Sequence, residues 1–542
     1  MNILLLNLTR FGDLLQSAAT VRALADGQNG EKHRIGVICL ENFTAGAKML
    51  ADVAAIYPLP AAKIMALCMA DTPAARTGSP EWLKGLGYLH EWADHIRTDF
   101  APDIVYNLSP STPSSLLGRL LAGGKNVKGF TLDELGFSHA TSPWAAFLQG
   151  ASAARITNPF NIVDLFRKVA RPESIHSDAS LLPCPEAAVI AMRENLISSS
   201  PATPNGFVAL QLGASADIRR WPVKFFAVVG DALWEKYRML PVLLGTKGEL
   251  PLGDDYANHA REPFINLIGQ TGLTELAAAL TVSALCISND TGTLHLASGL
   301  KTPALGLYLA TAQPWDTGPY MTGNCSVEPD LSCHPCDFGT TCPNNYACHT
   351  AILPEAVLAL ASAKLHTGTW DTANFAYPET ARAVRVWEST SDTHDFADLV
   401  SLSGHEDQSR TQWMRLQRHL YRQFFDRDPL SPFEPTPYPT PLSLNPETAF
   451  TLAQACDEVL ALFDALLQQA AMLTQNPLPL VKDRFSRTWQ RLATVLRSQP
   501  SFAAISFNWQ TEALRQDSIE EAIFLAHQYR NFFSFLRNLL PE

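Results

Sequence analysis

Apolar residues dominate positions 2–8, Thr9-Arg10-Phe11-Gly12-Asp13 interrupts them, and apolar positions then recur at helical spacing from Leu14 to Leu24. This pattern predicts a strand, a loop and a helix. Further strands are expected at 34–40 and 103–107, alternating with helical stretches such as 113–121, the order that builds a parallel sheet with crossover helices. One Rossmann-like α/β unit is therefore expected over residues 1–185. The stretch Leu196 to Gly206 is rich in Ser, Pro and Gly without periodicity and reads as a loop near a domain join. A second unit of the same kind is expected over 186–365, with strands at 207–212, 241–245, 265–267, 284–288 and 303–308 and a short helix at 274–281. The fold class predicted is thus α/β, two Rossmann-like doubly wound domains facing a cleft.

Beyond residue 366 strand signals fade. Amphipathic helical runs are expected at 408–426, 446–473, 480–497 and 519–540, so 366–542 reads as an all-α extension. Repeated prolines between Leu430 and Pro441 forbid helix and favour an extended connector. Trp413, Tyr421, Phe424, Phe425, Phe532, Phe533 and Phe535 fall near helical spacing and read as core. The extension has three candidate roles: binding an acceptor, a partner protein or a second copy of itself.

With 542 residues, 46% of them hydrophobic and 17% charged, the chain has material for several cores. Its formal charge of −12 and lack of a long Lys/Arg run argue against nucleic acid as a partner. The first ten residues lack a basic leader and their apolar run is too short for a signal peptide or a membrane span, which favours a cytoplasmic setting. Contact with a membrane surface remains compatible with the sequence.

Three loops that follow strands carry candidate chemistry. In Arg10-Phe-Gly-Asp13, Gly12 permits a tight turn and Asp13 sits at a helix start at the carboxyl edge of a sheet, where ligands bind in such folds. An N-cap role for Asp13 is the plain alternative. In Leu212 to Pro222, Ser215 and Arg219 could hold phosphate oxygens by charge-assisted hydrogen bonds, or the arginines could simply face water. In Ile287 to His295, small residues open a helix whose N-terminus suits a diphosphate, with Asp290, Thr291, Gly292 and His295 at its mouth. A capping role for Asp290 or Thr291 and a buried structural imidazole at His295 compete with that reading.

Five of the ten cysteines lie between Cys325 and Cys348. Cys333, Cys336, Cys342 and Cys348 could surround one tetrahedral zinc or iron ion in a structural site, with reduced buried thiols or a redox pair as alternatives.

Taken together, Arg10-Phe-Gly-Asp13, Trp221-Pro222 and Asn289-Asp-Thr-Gly-Thr-Leu-His295, in that order, resemble the heptosyltransferases of glycosyltransferase family 9. Asp103 to Leu108 and Leu267 to Leu276 also resemble stretches of that family, and the likeness covers roughly residues 1–365. It implies a GT-B fold, an acceptor domain first and a nucleotide-sugar domain second, with inverting, metal-independent transfer of a heptose from ADP-heptose. The acceptor implied is a lipopolysaccharide core or a protein-linked glycan. By position, Asp13 would be the base, Arg10 would touch the acceptor, and Ser215, Arg219, Asp290, Thr291, Gly292 and His295 would surround the donor. Arg219 stands where Lys is common, and Lys247 or Glu249 could occupy the place of the acidic nucleotide contact. Cysteine-rich loops occur in relatives of this family, one of them iron-holding. A non-catalytic GT-B module that binds a glycan or a partner, and another GT-B nucleotide-sugar enzyme, are the rival readings.

Overall fold

The computed structural model describes all residues except 28–30, 69–80, 154, 172, 174–177, 374–382, 429, 440–441, 517 and 541–542. The first sheet contains β1 (Asn2–Leu6), β2 (Arg34–Leu40), β3 (Val53–Leu59), β4 (Ile104–Asn107), β5 (Asn126–Leu132) and the short β6 (Ser138–Ala140), in the order β3-β2-β1-β4-β5-β6. β1 lies between β2 and β4, parallel to both. With Leu4, Leu5 and Leu6 fully buried, it is flanked on both faces, which explains its unbroken apolar run.

The second sheet contains β7 (Gly206–Gln211), β8 (Met239–Leu244), β9 (Ile265–Asn266), β10 (Leu285–Asn289), β11 (Ala304–Leu307), β12 (Cys325–Pro329), β13 (Val384–Ser391) and β14 (Ala397–Ser401). Its order is β14-β13-β12-β11-β10-β7-β8-β9. The parallel part has the doubly wound arrangement, whose switch point lies between the first strand, β7, and its neighbour β10. Two Rossmann-like sheets with a helical C-terminal region make this a GT-B fold, as the sequence led us to expect.

Two features differ from the sequence reading. The expected helix 14–24 is two helices, α1 (Phe11–Gln16) and α2 (Ala18–Ala25), meeting at Ser17, whose hydroxyl donates to the Leu14 carbonyl at 2.6 Å. Residues 384–401, placed in an all-α extension, form the hairpin β13-β14, which pairs antiparallel with β12. Buried Val384, Val386 and Trp387 make that addition part of the sheet's core.

The chain separates into two compact units, residues 1–138 with 161–403, and residues 139–160 with 404–542, and both sheets apart from most of β6 lie in the first. The second unit gathers helices at Ser409–Phe425, Pro446–Gln475, Pro479–Ser498, Ala503–Ala513 and Ile519–Asn538 with the earlier helix Pro143–Ala153. Phe147 of that helix packs on Tyr421 and Phe425, and Trp144 Nε1 donates to Asp426 at 2.6 Å. Trp413, Tyr421, Phe424, Phe425, Phe532 and Phe533 are all buried core and Phe535 is half-buried. Among the described residues, no helix is long and apolar enough to cross a membrane.

Candidate functional site

The site starts where β1 ends. Asn7 accepts from Thr9 N at 3.2 Å and donates to the Asp13 carbonyl at 3.2 Å, folding the chain back so that α1 begins at Phe11. The Asp13 carboxylate accepts from Arg10 N at 3.2 Å, so it has a capping role, as the third helical residue of a capping box rather than as the N-cap, which is Arg10. It is not the whole role, because His295 and Arg10 lie close enough for their charges to favour the ionised form. Burial is the stronger influence and holds the carboxyl above its ordinary value. Arg10 itself is exposed.

The partner surface is the start of α3 (Gly292–Gly299), the helix that follows β10. A Cβ on Gly12 would lie 3.0 Å from His295 Cδ2 and 3.4 Å from Gly292 Cα. A Cβ on Gly292 would lie 2.6 Å from Phe11 Cδ1 and 3.4 Å from Gly12 N. Two helix starts can approach this closely only because both positions lack a side chain. The loop after β1 and the start of α3 thus pack directly on one another, and His295 lies close enough to both Asp13 and Asp290 to feel their charges.

Around α3 the donor-side residues form a connected set. Arg219 is buried; its Nη1 is 3.5 Å from Asp290 Oδ2, its Nε donates to Thr311 Oγ1 at 2.6 Å and its Nη1 to Ser215 Oγ at 3.4 Å. Phe338 stacks on the same guanidinium, 5.3 Å from ring centroid to Cζ. Asn289 fixes the spacing of the two loops: its amide donates to the Leu212 and Gly213 carbonyls at 2.9 and 3.0 Å and accepts from Trp221 N at 2.9 Å. Thr291 Oγ1 is 3.1 Å from Ser288 Oγ. His295 Nε2 lies 4.0 Å from Asp290 Oδ1, and burial, partly offset by Asp290, Asp13 and Asp316, holds the imidazole below its ordinary value.

Of the sequence candidates, Asp13, Ser215, Arg219, Asp290, Thr291, Gly292 and His295 are thus brought together. Lys247 is exposed on a short turn after β8. Glu249, two residues on, is half-buried and closes a capping box with Thr246. Its carboxylate accepts from Thr246 N at 2.6 Å and from Gln211 Nε2 at 3.4 Å, and it fills the space where a Cβ of Gly213 would be, 1.3 Å from Oε1. Thr311, Asn289 and Phe338 were missed as site residues; the Asn in the motif was visible, but its long-range partners were not.

The cysteine-rich loop departs from expectation. Among the described residues, no group of three or more His, Cys, Asp or Glu side chains is gathered to hold a metal ion, and the four-sulfur cage expected of Cys333, Cys336, Cys342 and Cys348 is not formed. Two of the thiols are engaged locally: Cys336 Sγ donates to the Cys333 carbonyl at 3.4 Å and Cys342 Sγ accepts from Tyr346 N at 3.3 Å. All four still lie within reach of one another's charge, and burial first, neighbouring thiols second, raise Cys336; Cys348 is raised in the same direction, by burial above all. The loop's anchors are protein groups. His334 Nε2 is 3.1 Å from buried Glu328, Cys336 N donates to the Ala310 carbonyl at 2.9 Å, and His349 Nε2 is 2.8 Å from the Ile218 carbonyl.

The GT-B class rests on two doubly wound sheets whose facing loops meet at Gly12 and Gly292. Within that class, residues 134–347 match the model of glycosyltransferase family 9 (heptosyltransferase), the family whose motifs the sequence resembles. The chain is 29% identical over 157 residues to lipooligosaccharide heptosyltransferase 2 of Campylobacter jejuni, which covers 28% of this chain and 48% of that protein. It is 26% identical over 174 residues to lipopolysaccharide heptosyltransferase 1 of Pseudomonas aeruginosa, covering 31% and 46% respectively. The chain spans about half the length of the curated relatives it matches. Among solved structures, the ADP-heptose lipopolysaccharide heptosyltransferase II of E. coli aligns with a TM-score of 0.49 and 18% identity, covering 68% of this chain and 99% of that one. Asp13 lies outside the family-model match, so its place in the site rests on the geometry above.

Proposed function

We propose that this chain is a glycosyltransferase of the heptosyltransferase type, moving a heptose or related sugar from an ADP-sugar to a saccharide acceptor of lipopolysaccharide or protein-linked kind. The observation that carries the proposal is the juxtaposition of the half-buried Asp13 carboxylate with the start of α3, where His295 feels the charges of both Asp13 and Asp290 and Asp290 lies 3.5 Å from Arg219. The match of residues 134–347 to family 9 supports the donor half of the reading.

Transfer with inversion forms a bond from the acceptor oxygen to the anomeric carbon and breaks the bond from that carbon to the diphosphate oxygen. The bonding pair leaves with the diphosphate, and the acceptor hydroxyl proton goes to Asp13. An ordinary carboxylate, with a pKa of about 4, is a weak base toward an alcohol, so proton transfer comes late, when bond formation has acidified the hydroxyl. The raised proton affinity of Asp13 strengthens it for that task. Arg219 and the backbone N–H groups at the start of α3 supply positive charge where the leaving diphosphate becomes more negative. Glu249, beside Gly213 and Gly245, is the acidic side chain placed to meet the donor's ribose hydroxyls. Arg10, exposed next to Asp13, is placed for an acceptor anion.

Incubation of the full chain with ADP-heptose and a heptose-deficient lipopolysaccharide core tests the proposal. Acceptor-dependent ADP release that Asp13→Ala abolishes supports it. Donor binding without turnover on lipid-linked or protein-linked acceptors favours the non-catalytic binding module instead.

A further inference from the structure

Gln16 closes α1, one turn beyond Asp13, and is 4% exposed. Neither its amide oxygen nor its amide nitrogen has a hydrogen-bond partner among the described residues. A buried amide left unpaired costs stability, so native proteins supply a partner, often an ordered water. The side chain lines a small cavity of about 20 Å³ shared with His295, Ser298, Tyr320, Leu181 and Met321, which is room for a single water.

The polar groups around that cavity have matching spare capacity. Neither nitrogen of His295 has a hydrogen-bond partner among the described residues, and its nearest anionic oxygen, Asp290 Oδ1, is 4.0 Å away. Ser298 Oγ accepts from Met321 N at 3.3 Å and from Asn324 Nδ2 at 3.2 Å, which leaves its hydroxyl proton to donate. Tyr320 donates its hydroxyl to Asp164 at 2.8 Å, and its oxygen can still accept. Two to four polar partners around a one-water space is the ordinary description of a structural water site.

We propose that this cavity holds a buried water bridging the Gln16 amide to the His295 imidazole, and that Gln16 is thereby the positioning residue for His295 at the mouth of the donor site. The water holds the imidazole in place beside Asp13 and Asp290 without bringing another charge into the buried gap. Gln16 is chemically suited to this because its amide offers both a donor and an acceptor and so serves either tautomer of the ring. The presence of the water is independent of the proposed transferase reaction; its catalytic consequence rests on that reading.

A high-resolution crystal structure of the full chain tests the site directly. The expected result is one ordered water within hydrogen-bond distance of both Gln16 and His295. A dry cavity, or a Gln16 amide bonded to protein groups alone, overturns the proposal. The positioning role is read from two variants in the ADP-heptose assay. Gln16→Met, of similar length but apolar, should lower kcat by about 10-fold with the donor KM nearly unchanged, while Gln16→Asn, which keeps a neutral amide with both a donor and an acceptor, should recover part of that loss. A Gln16→Met enzyme with unchanged kcat, or two variants equally impaired, overturns the positioning role even if the water is present. Should wild type show no turnover on any acceptor, the transferase reading fails while the water site is still judged by the crystal structure.

Discussion

Gly12 and His295 approach until a methyl group on the glycine would stand 3.0 Å from the imidazole Cδ2. The loop after the first strand of one sheet and the helix after β10 of the other thus meet over a glycine pair, Gly12 and Gly292, with Asp13 and Asp290 on either side. The chemistry proposed for this chain depends on that meeting.

The contact leaves little room for a larger residue. Gly292→Ala puts a Cβ 2.6 Å from Phe11 Cδ1, although the backbone at Gly292 is not in the left-handed region. The two helix starts must separate, and turnover should fall by about 10²-fold, the cost of a roughly 1 Å misplacement. Phe11→Ala in the same chain opens space for the methyl, and a double variant more active than Gly292→Ala alone would confirm that crowding is the cause.

Removing Arg219 should act on donor affinity. Arg219→Ala takes away the cation facing Asp290 and the bonds to Thr311 and Ser215. Hydrogen bonds to charged groups are worth about 1.5–3 kcal/mol, so ADP affinity measured by calorimetry should fall by roughly 10- to 100-fold. Arg219→Lys keeps the charge but not the planar fork, and should fall between the two.

Asn289 tests the scaffold under the donor loops. Its three hydrogen bonds are fully buried, and Asn289→Ala leaves Trp221 N without its acceptor and two carbonyls without their donor. Denaturant unfolding should show a loss of about 3 kcal/mol or more.

The raised Asp13 carboxyl sets two pH dependences of opposite sense. Burial is its main cause, with Arg10 N and His295 opposing. Because the base must be ionised, turnover should fall as pH drops through a value above the ordinary aspartate range of about 4. Stability runs the other way. The folded state holds this proton more tightly than the unfolded chain, so that contribution is complete below the unfolded-state pKa and lost as pH rises through the folded-state pKa. Asp13→Asn should therefore have a higher Tm than wild type at pH 7, with the difference shrinking toward pH 4. An equal or lower Tm at pH 7 would show that the carboxylate is not held against its preference.

Much of this was legible in the residue pattern. Strands such as β2 and β10 announce themselves as short apolar runs because a parallel sheet is buried on both faces, and the three loop motifs fall at the carboxyl ends of β1, β7 and β10. The hairpin β13-β14 was not legible, since an antiparallel pair added to the edge of a parallel sheet breaks the strand-helix alternation on which the reading relied. Nor was the departure of Pro143–Ala153 to the helical unit. Trp144 and Phe147 declare that they are buried, but periodicity does not say in which core. Lys247 and Glu249 stood as alternatives because the motif's acidic position is blurred in sequence. In the turn, the Glu249 carboxylate fills the space that Gly213 leaves open. The cysteine spacing suggested a metal cage, whereas backbone groups such as the Cys333 carbonyl and Tyr346 N occupy two of the thiols.

The most direct test of the central claim is the rate of acceptor-dependent ADP release by Asp13→Asn beside wild type, at saturating ADP-heptose, with ADP affinity measured on both. The account predicts a loss of about 10²–10⁴-fold in kcat with ADP affinity essentially unchanged. A variant that turns over at the wild-type rate, or one whose whole deficit lies in donor binding, would contradict it.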